Sequence, residues 1–600
     1  MRIADYIFKT LADKGVKHVF LVTGGGAMHL NDAVGRESRI RYICNLHEQA
    51  CAMAAEGYAR ITGTPGVLNV TTGPGGTNAI TGVAGAWLDS IPMLVISGQV
   101  KRATTISACP ELQLRQLGDQ ELNIVDVVRP ITKYAVMVQD PAMIRYELEK
   151  AWHLCQCGRP GPVWLDIPLD IQAYDIDTDT LPSYTPSPAD VPPEISEIQL
   201  EEIAAKLRSA KRPAIIAGIG VRHAQAAQQL LEVAEKCRIP VLTSISGADL
   251  IPSNHPFFFG RPGILGERAA NFIMQNSDLL LVLGTRMGIR VIGYAYDKIA
   301  REACKIMVDA DKNELQKPTF RPDIAVHGDA GKFLKRLLPR LEAQENDTDW
   351  LDYCRNMKSR YPVITEEHRA KTDHVSSYVL PELLSRFCRE KTIVVTGNGI
   401  AYTSTFQAIP LKPGMRLFAN EACASMGYGL PAAIGASLAG NGREVLCITG
   451  DGSLQMNIQE LQTMKNLQLP IKLFVYNNDG YLSIKLTQKS FFDGHFVGSH
   501  PASGVSLPDL EKIAAAYGLP FRRLCSNQEA ETMLPEILAA SGPVLIEVML
   551  DPFEIPEPKA ASKQLPDGSM VSAPLEDLSP FLPREEFLQN MIVQPVKEVF

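Results

Sequence analysis

Short apolar runs alternate with amphipathic stretches along the first 180 residues of the chain. The runs are HVFLV (18–22), IRYICNL (40–46), GVLNVTT (66–72) and PMLVISG (92–98), and residues 3–15 carry apolar side chains at helical spacing. Apolar runs of this length, bounded by glycine or proline and separated by helices, indicate a parallel β-sheet that is covered on both faces.

The same alternation returns twice further along the chain. The strand candidates of the second and third blocks are PAIIAGIG (213–220), IPVLTS (239–244), DLLLVLG (278–284), KIMVDAD (305–311), TIVVTGNG (392–399), EVLCITGDG (444–452), IKLFVYNN (471–478) and PVLIEVML (543–550). Proline-rich or polar stretches lie between the blocks. The pattern therefore predicts three doubly wound α/β domains, at 1–180, 197–341 and 375–552, with linkers at 181–196 and 342–374 and an extended tail at 553–600 as a candidate cover for the active site.

Composition and charge exclude several classes of protein. The 600 residues carry 59 basic and 67 acidic side chains, a formal charge of −8, so we expect no general attraction to nucleic acid or anionic lipid. No apolar run approaches the roughly 20 residues that a membrane span needs. The N-terminal stretch has neither the apolar core of a secretory signal nor the bias of a transit peptide. The twelve scattered cysteines show no zinc spacing, which is typical of reduced thiols in a cytoplasmic protein.

The strongest local pattern lies in the third block. The strand EVLCIT ends in Gly450-Asp451-Gly452, and after 24 further residues a second strand ends in Asn477-Asn478. Carboxylate and amide oxygens suit a hard cation such as Mg2+, and the backbone carbonyl of Gly480 is a candidate third ligand beside diphosphate oxygens and water. The glycines let backbone N–H groups approach phosphates at the start of the following helix. The sequence predicts a metal and diphosphate site here.

This motif, GDG followed after twenty-odd residues by NN, resembles the motif of thiamine-diphosphate-dependent enzymes, and the resemblance extends over all three blocks. It implies that the N-terminal domain binds the aminopyrimidine of the cofactor and that the C-terminal domain binds its diphosphate with Mg2+. The central domain would be structural or would bind a nucleotide. In this interpretation Gly450, Gly452, Ser453 and Asn478 contact the diphosphate, and Asp451, Asn478 and Gly480 hold the metal.

Glu48 is the candidate catalytic residue. It follows the strand IRYICNL, where the family has a glutamate that hydrogen-bonds the aminopyrimidine and so activates the cofactor. Taken alone, a glutamate at a helix start would only complement the helix dipole. The resemblance also implies cofactor contacts from the glycine-rich loop after GVLNV, through Thr72, Gly73, Gly75 and Asn78, and from Met426, which props the cofactor in its bent form.

Several segments resemble one branch of the family, the large subunit of acetolactate synthase. They are GRPGPV (158–163), Gln120-Glu121, MGYGLPAAIGA and GDGSLQMNIQEL. That branch binds FAD in its central domain. The resemblance places the FAD contacts here at Arg159, Gly218, Gly220, Ser244, Gly284, Thr285, Arg286, Arg290, Asp309 and Asp329.

The substrate end of the site departs from that branch. Asp119 stands where a phenylalanine is expected, Leu169 where a lysine is expected, and Ser483, Ile484 and Thr487 replace Met, Val and Trp. His29 lies in the loop after the first strand, where the branch has an apolar residue, and can protonate an alkoxide. We therefore expect Gln120 and His29 to serve an acceptor larger and more polar than a second keto acid.

The sequence predicts decarboxylation of a 2-keto acid, pyruvate, and transfer of the acetyl unit to a carbonyl acceptor such as a ketone or a nucleotide-bound keto sugar. Plain acetolactate synthase, a hydrolase of cyclic diones, a flavin-dependent pyruvate oxidase and an inactive homologue are the alternatives. The resemblance also implies a homodimer or homotetramer in which Glu48 and the Asp451 loop come from different subunits.

Overall fold

The computed structural model describes residues 1–345, 348–565 and 567–596. The predicted linker at 342–374 and the predicted tail at 553–600 each include residues outside these ranges. The described residues form three parallel β-sheets with helices on their faces, so the prediction of three α/β domains is confirmed. No helix of the described chain is both long enough and apolar enough to cross a membrane.

The first sheet has six parallel strands in the order β2-β1-β3-β4-β6-β5. Two apolar clusters lie on its two faces, and β3, β4 and β6 are buried throughout, as expected for a sheet covered on both sides. The strands are β1 His18–Leu21, β2 Arg41–Cys44, β3 Gly66–Val70, β4 Met93–Gln99, β5 Tyr134–Met137 and β6 Pro162–Pro168. The helices are α1 Ile3–Asp13, α2 Met28–Arg36, α3 Glu48–Thr62, α4 Pro74–Leu88, α5 Ile124–Val128, α6 Ile144–Leu154 and α7 Leu169–Gln172.

The second sheet has five parallel strands in the order β11-β10-β9-β7-β8. The strands are β7 Pro213–Ala217, β8 Val241–Thr243, β9 Leu279–Leu283, β10 Cys304–Asp309 and β11 Ile324–His327. The helices are α8 Glu197–Ser209, α9 Ile219–His223, α10 Ala227–Cys237, α11 Arg268–Asn276, α12 Ile289–Ile292 and α13 Ala330–Leu337. The strand order reverses direction between β7 and β9, and α/β sheets bind ligands at such a switch point.

Two helices lie between the second and third sheets, α14 Asp349–Arg360 and α15 Glu366–Ala370. The sequence predicted a linker over 342–374, but α14 buries Trp350, Leu351, Cys354 and Met357 on one face. Their spacing is helical, so the charged opposite face of this segment concealed a packed helix.

The third sheet has six parallel strands in the order β13-β12-β14-β15-β17-β16, again between two apolar clusters. The strands are β12 Ile393–Thr396, β13 Arg416–Phe418, β14 Val445–Gly450, β15 Ile471–Asn477, β16 Phe521–Leu524 and β17 Val544–Met549. The helices are α16 Val379–Phe387, α17 Ile400–Ala408, α18 Gly429–Ala439, α19 Asp451–Leu454, α20 Glu460–Asn466, α21 Leu482–Phe491, α22 Leu510–Tyr517 and α23 Asn527–Ala539.

Helices α3 and α18 join the first and third domains. A Cβ atom at Gly57 would overlap the backbone carbonyl of Ala432, and one at Gly435 would overlap that of Ala54. The two helices therefore touch backbone to backbone, which only glycine permits. This contact fixes the helix that begins at Glu48 against the domain that carries Asp451.

The described part of the tail is more ordered than its sequence suggested. It contains the short strands β18 Lys559–Ala560, β19 Ser562–Gln564, β20 Met570–Ser572 and β21 Leu578–Ser579, followed by α24 Arg584–Asn590. Arg268 donates to the carbonyls of Leu578 and Pro580, and buried Glu576 accepts from Gln275 and Arg301. These contacts attach the tail to the central domain.

Candidate active site

Asp451 and Asn478 lie together at the carboxyl ends of the neighbouring strands β14 and β15. The register pairs Gly450 with Tyr476. The Oδ2 atom of Asp451 accepts the N–H groups of Asn478 at 3.2 Å and of Gly480 at 3.1 Å, and its Oδ1 atom accepts that of Gly452 at 2.7 Å. Burial raises the pKa of Asp451 to about 6, against the effect of these N–H bonds.

The Oδ1 atom of Asn478 is buried and has no hydrogen-bond partner among the described residues. A buried amide oxygen without a partner is costly, and beside a carboxylate it suits a cation ligand. No group of three or more His, Cys, Asp or Glu side chains in the described ranges could hold a metal. The Asp451 site therefore fits a hard cation that takes its other ligands from backbone, diphosphate or water. The Gly480 carbonyl stays a predicted ligand.

A cavity of about 370 Å3 opens beside these two residues, and its lining comes from the third domain alone. A Cβ atom at Gly452 would overlap the ring of Tyr481, so this position has no room for a side chain. Ser453 accepts the N–H group of Gly427 at 3.1 Å, which holds the segment after Met426. Of the predicted cofactor contacts, the lining includes Met426, Gly450, Asp451, Gly452, Ser453, Asn478 and Gly480.

Lys485 is part of this site and was not predicted from the sequence. Its side chain is buried, and Nζ donates to the carbonyl of Asn478 at 2.6 Å and to that of Asp479 at 3.4 Å. Nζ also lies 5.1 Å from the ring centroid of Phe553, at the start of the tail. Lys485 thus supports the backbone of Asn478, a predicted metal ligand. In the sequence, only its position seven residues after Asn478 related it to the site.

Glu48 is the first residue of α3 and is 8% exposed. Asn78 donates from Nδ2 to the Oε2 atom of Glu48 at 3.0 Å, and a Cβ atom at Gly75 would lie 3.6 Å from Oε1. The preceding residue, His47, caps the helix by accepting the N–H group of Gln49. The structure therefore brings three predicted residues together and leaves the second carboxylate oxygen without a side-chain donor from the described chain.

The loop that carries Thr72, Gly73 and Gly75 packs against the two other predicted segments. A Cβ atom at Gly26 would lie 2.9 Å from the Cβ of Thr72, and one at Gly73 would overlap the carbonyl of Gln120. Both Gly73 and Gln120 have positive φ angles, 59° in each case. The side chain of Gln120 is exposed, beside the buried Glu121, which accepts N–H groups of Leu117 and Gly118.

His29 is the second residue of α2, close in the chain to Gly26. Its side chain is half-buried and forms no hydrogen bond with any residue the structure describes. Gln120 and Glu48 therefore border the Thr72 loop, and His29 follows Gly26, which packs against Thr72. The lining of the Asp451 cavity includes none of the three. The first domain and the third domain each supply one half of the predicted site.

A second cavity, of about 320 Å3, lies at the carboxyl ends of β7, β9, β10 and β11. Its glycine turns touch: a Cβ atom at Gly220 would lie 2.6 Å from the Cα of Gly284, and one at Gly218 would overlap Thr285. Ligands bind at such switch points in open α/β sheets, and close approach of glycine turns is common there. Of the predicted FAD contacts, the lining includes Arg159, Gly220, Gly284, Thr285, Arg286, Asp309 and Asp329.

Three predicted FAD positions lie outside the described lining. Gly218 packs against Thr285, and Ser244 shares a hydrogen bond with Ser246; both of these partners line the cavity. Arg290 lies 5.3 Å from the ring centroid of Tyr402. Among the lining residues that were not predicted are the titratable side chains His223 and Glu421. Burial raises the pKa of Asp309 to about 6, although Asp311 donates its N–H to that carboxylate.

Comparison with known proteins agrees with this geometry. Residues 1–123 match "Thiamine pyrophosphate enzyme, N-terminal TPP binding domain", residues 200–337 match its central domain, and residues 397–548 match its C-terminal TPP binding domain. The chain belongs to the thiamine pyrophosphate enzyme family. The predicted assignment to a thiamine-diphosphate-dependent enzyme is confirmed, and Glu48 and Asp451 lie in its N-terminal and C-terminal cofactor-binding domains.

Curated relatives show which branch of the thiamine pyrophosphate enzyme family this chain resembles. The chain is 34% identical to the acetolactate synthase isozyme 1 large subunit of Escherichia coli K12, over 92% of this chain and 94% of that protein. It is 32% identical to the probable acetolactate synthase large subunit of Methanocaldococcus jannaschii and 31% identical to the acetolactate synthase large subunit of Lactococcus lactis, each over 92% of this chain and 93% of the relative. The enzyme is acetolactate synthase-like, as predicted.

Proposed function

We propose that this enzyme decarboxylates pyruvate and joins the acetyl unit to a carbonyl acceptor, using thiamine diphosphate and Mg2+. The observation that carries the proposal is the Asp451 site, where a carboxylate and a buried amide oxygen, unpartnered within the described chain, face a cavity at two strand ends. The similarity to acetolactate synthase large subunits supports pyruvate as the donor.

Residues of the first and third domains have separate roles in the proposed reaction. Thiamine diphosphate supplies the nucleophilic carbon and the electron sink that decarboxylation requires. Asp451 and Asn478 would hold the cation that neutralises its diphosphate, and Glu48 would hold a proton at the pyrimidine N1′ atom, with Asn78 fixing the carboxylate. Met426, which lines the Asp451 cavity, would support the cofactor between them.

We propose that the complete site forms between two copies of the chain. The lining of the Asp451 cavity contains residues of the third domain alone, whereas Glu48 contacts residues of the first domain. A homodimer or homotetramer in which each chain gives one half to its partner would join them, as a two-fold axis allows.

The proposed acceptor is a ketone or a keto sugar carried by a nucleotide. Ser483 lines the Asp451 cavity where the resemblance leads us to expect methionine, and Asp119, next to the exposed Gln120 at the edge of the Thr72 loop, stands where phenylalanine is expected. Both changes widen the site and make it more polar. His29, which has no hydrogen-bond partner in the described chain, would donate a proton to the alkoxide that forms when the acceptor carbonyl is attacked.

Competition between acceptors tests this proposal. With pyruvate as donor, a bulky hydroxylated ketone should be used at least as efficiently as a second pyruvate molecule, measured as kcat/KM for each ligated product. The His29→Ala variant should lose ligation more than pyruvate decarboxylation. If acetolactate is favoured by more than about 100-fold, roughly 2.7 kcal/mol of discrimination, the protein is a plain acetolactate synthase.

We further propose that the 320 Å3 cavity holds FAD. Two features support this. The glycine turns meet at the strand-order switch point, and the buried Asp309 carboxylate at the end of β10 could accept a hydrogen bond from a ribose hydroxyl. A flavin-dependent pyruvate oxidase is the second candidate that this cavity favours. In that case pyruvate alone would bleach the flavin absorbance under anaerobic conditions, and a ligase would leave it unchanged.

The Gly220→Ala variant should lose bound flavin. The added methyl group would lie 2.6 Å from the Cα of Gly284, so the two turns must separate and the cavity changes shape. We expect at least a 10-fold fall in flavin content, measured by absorbance after denaturation of the purified protein. The control is Gly35→Ala in α2, where a Cβ atom meets nothing within 4 Å. Equal flavin content in both variants would contradict the assignment.

A further inference from the structure

A buried chain of hydrogen bonds runs through the first sheet to its carboxyl edge. Trp164 donates to the hydroxyl of Ser97 at 2.7 Å, and Ser97 donates to the Oδ1 atom of Asp166 at 2.6 Å. Gln99 donates from Nε2 to the Oδ2 atom of Asp166 at 2.9 Å. All four side chains are at most 2% exposed, in strands β4 and β6 that are otherwise mostly apolar.

Gln99 connects this chain to two functional segments at once. Its Oε1 atom accepts the hydroxyl of Thr72 at 2.7 Å, and its Nε2 atom also donates to the carbonyl of Leu122 at 2.9 Å. Thr72 belongs to the loop that borders Glu48, and Leu122 lies two residues after Gln120. One amide therefore holds the cofactor-side loop and the substrate-side segment at a fixed separation.

Two acceptors and one backbone donor fix the orientation of the Gln99 amide. Asp166 and the carbonyl of Leu122 both accept from its nitrogen, so its Oε1 atom faces Thr72. The same Oε1 atom also accepts the N–H group of Val100 at 3.0 Å. Within the described chain, the hydrogen bonds to the Asp166 carboxylate come from Ser97 and Gln99, both uncharged, and burial raises its pKa to about 7. Its role in this chain of hydrogen bonds is therefore to accept from Ser97 and Gln99.

We propose that Asp166 and Gln99 are positioning residues for the reaction: Asp166, together with the Leu122 carbonyl and the Val100 N–H group, orients the amide of Gln99, which holds the Thr72 loop and the Gln120 segment in register. This inference rests on the proposed function. It adds that the geometry of the site depends on an amide orientation set inside the sheet. A displacement of about 1 Å at the reacting groups can cost about 100-fold in rate.

The Gln99→Glu variant replaces the amide nitrogen that donates to Asp166 with an acceptor oxygen. A carboxylate oxygen would face Asp166 Oδ2, where two acceptors repel unless they share a proton. At pH 8 we expect at least a 10-fold lower kcat for pyruvate decarboxylation, with thiamine diphosphate content unchanged. Acidification to about pH 6 should restore part of the rate relative to wild type, because one carboxyl can then donate to the other.

The double variant Gln99→Glu/Asp166→Asn decides between positioning and simple damage. The amide introduced at position 166 can donate to the carboxylate introduced at position 99, which still accepts from Thr72, so decarboxylation should recover at least 5-fold over Gln99→Glu. Asp166→Asn alone should lower kcat, but less than Gln99→Glu does, since asparagine keeps one acceptor oxygen for Gln99. The control, Asp170→Asn, breaks the Arg102 pair on the same side of the domain and should stay within about 3-fold of wild type.

Each outcome bears on the proposal. A Gln99→Glu rate within 3-fold of wild type, or no recovery in the double variant, overturns it. If Gln99→Glu does not fold, Thr72→Val replaces it, because it breaks only the link to the loop; an unchanged kcat there also overturns the proposal. Failure of the wild-type enzyme to decarboxylate pyruvate would instead refute the proposed function, whatever the variants show.

Discussion

Replacement of Asp451 by alanine should abolish the binding of Mg2+ and thiamine diphosphate. The variant loses the carboxylate that lines the cavity and leaves the Asn478 side-chain oxygen without its neighbour. Loss of even an indirect partner of a metal ligand costs about 10–100-fold in metal affinity, so loss of the ligand itself should cost at least 100-fold. Titration calorimetry with Mg2+ and thiamine diphosphate measures this directly.

The matched control for Asp451→Ala is Asp479→Asn. Asp479 is exposed, lies next to Asn478 and has a positive φ angle that asparagine also adopts. This variant removes a negative charge from the same loop and should bind Mg2+ and cofactor as the wild type does. Normal cofactor occupancy in Asp451→Ala would refute the metal assignment.

The Glu48→Gln variant should bind the cofactor but fail to activate it. Glutamine has the same shape, and its amide oxygen can still accept from Asn78, so the fold should be kept. It has no carboxyl group with which to hold a proton at N1′. Acid–base assistance is worth about 10²–10⁴-fold, and the exchange of the C2 proton of bound thiamine diphosphate should slow by that factor. Exchange at the wild-type rate would remove Glu48 from the reaction.

Mixing the two inactive variants provides the control for Glu48→Gln. If the site lies between two chains, a hybrid dimer of Glu48→Gln and Asp451→Ala contains one intact site, and activity should return as subunits exchange. If both residues act within one chain, no intact site forms and the mixture stays inactive. A fully active monomer in sedimentation would also contradict the shared site.

The strand ends of the active site were predictable because their signals are local. Asp451 and Asn478 each follow a continuous apolar run, and a parallel sheet brings such ends to one edge. The edge strand β5 was missed because all four of its residues are only partly buried, which weakens the apolar pattern. The helix α14 was missed for a different reason, since its charged outer face hid the helical spacing of its buried residues.

Contacts between separate elements of the structure could not be predicted in this way. The close packing of Gly57 on Ala432, the support of Asn478 by Lys485 and the bond from Thr72 to Gln99 each depend on the relative placement of two elements. Periodicity reports which face of one element is buried, and it carries no information about the residue opposite. Glycine, lysine and glutamine at these positions look ordinary until the partners are known.

The central claim is that this enzyme forms a carbon–carbon bond from pyruvate with thiamine diphosphate. The direct measurement follows pyruvate labelled with carbon-13 at C2, with a hydroxylated ketone present, by NMR and mass spectrometry. The account predicts a ligated product that carries the label in its new acetyl group, one CO2 released per acetyl transferred, and no product without thiamine diphosphate or in Asp451→Ala. Labelled acetate or acetaldehyde as the main product, or ligation that needs no thiamine diphosphate, would contradict it.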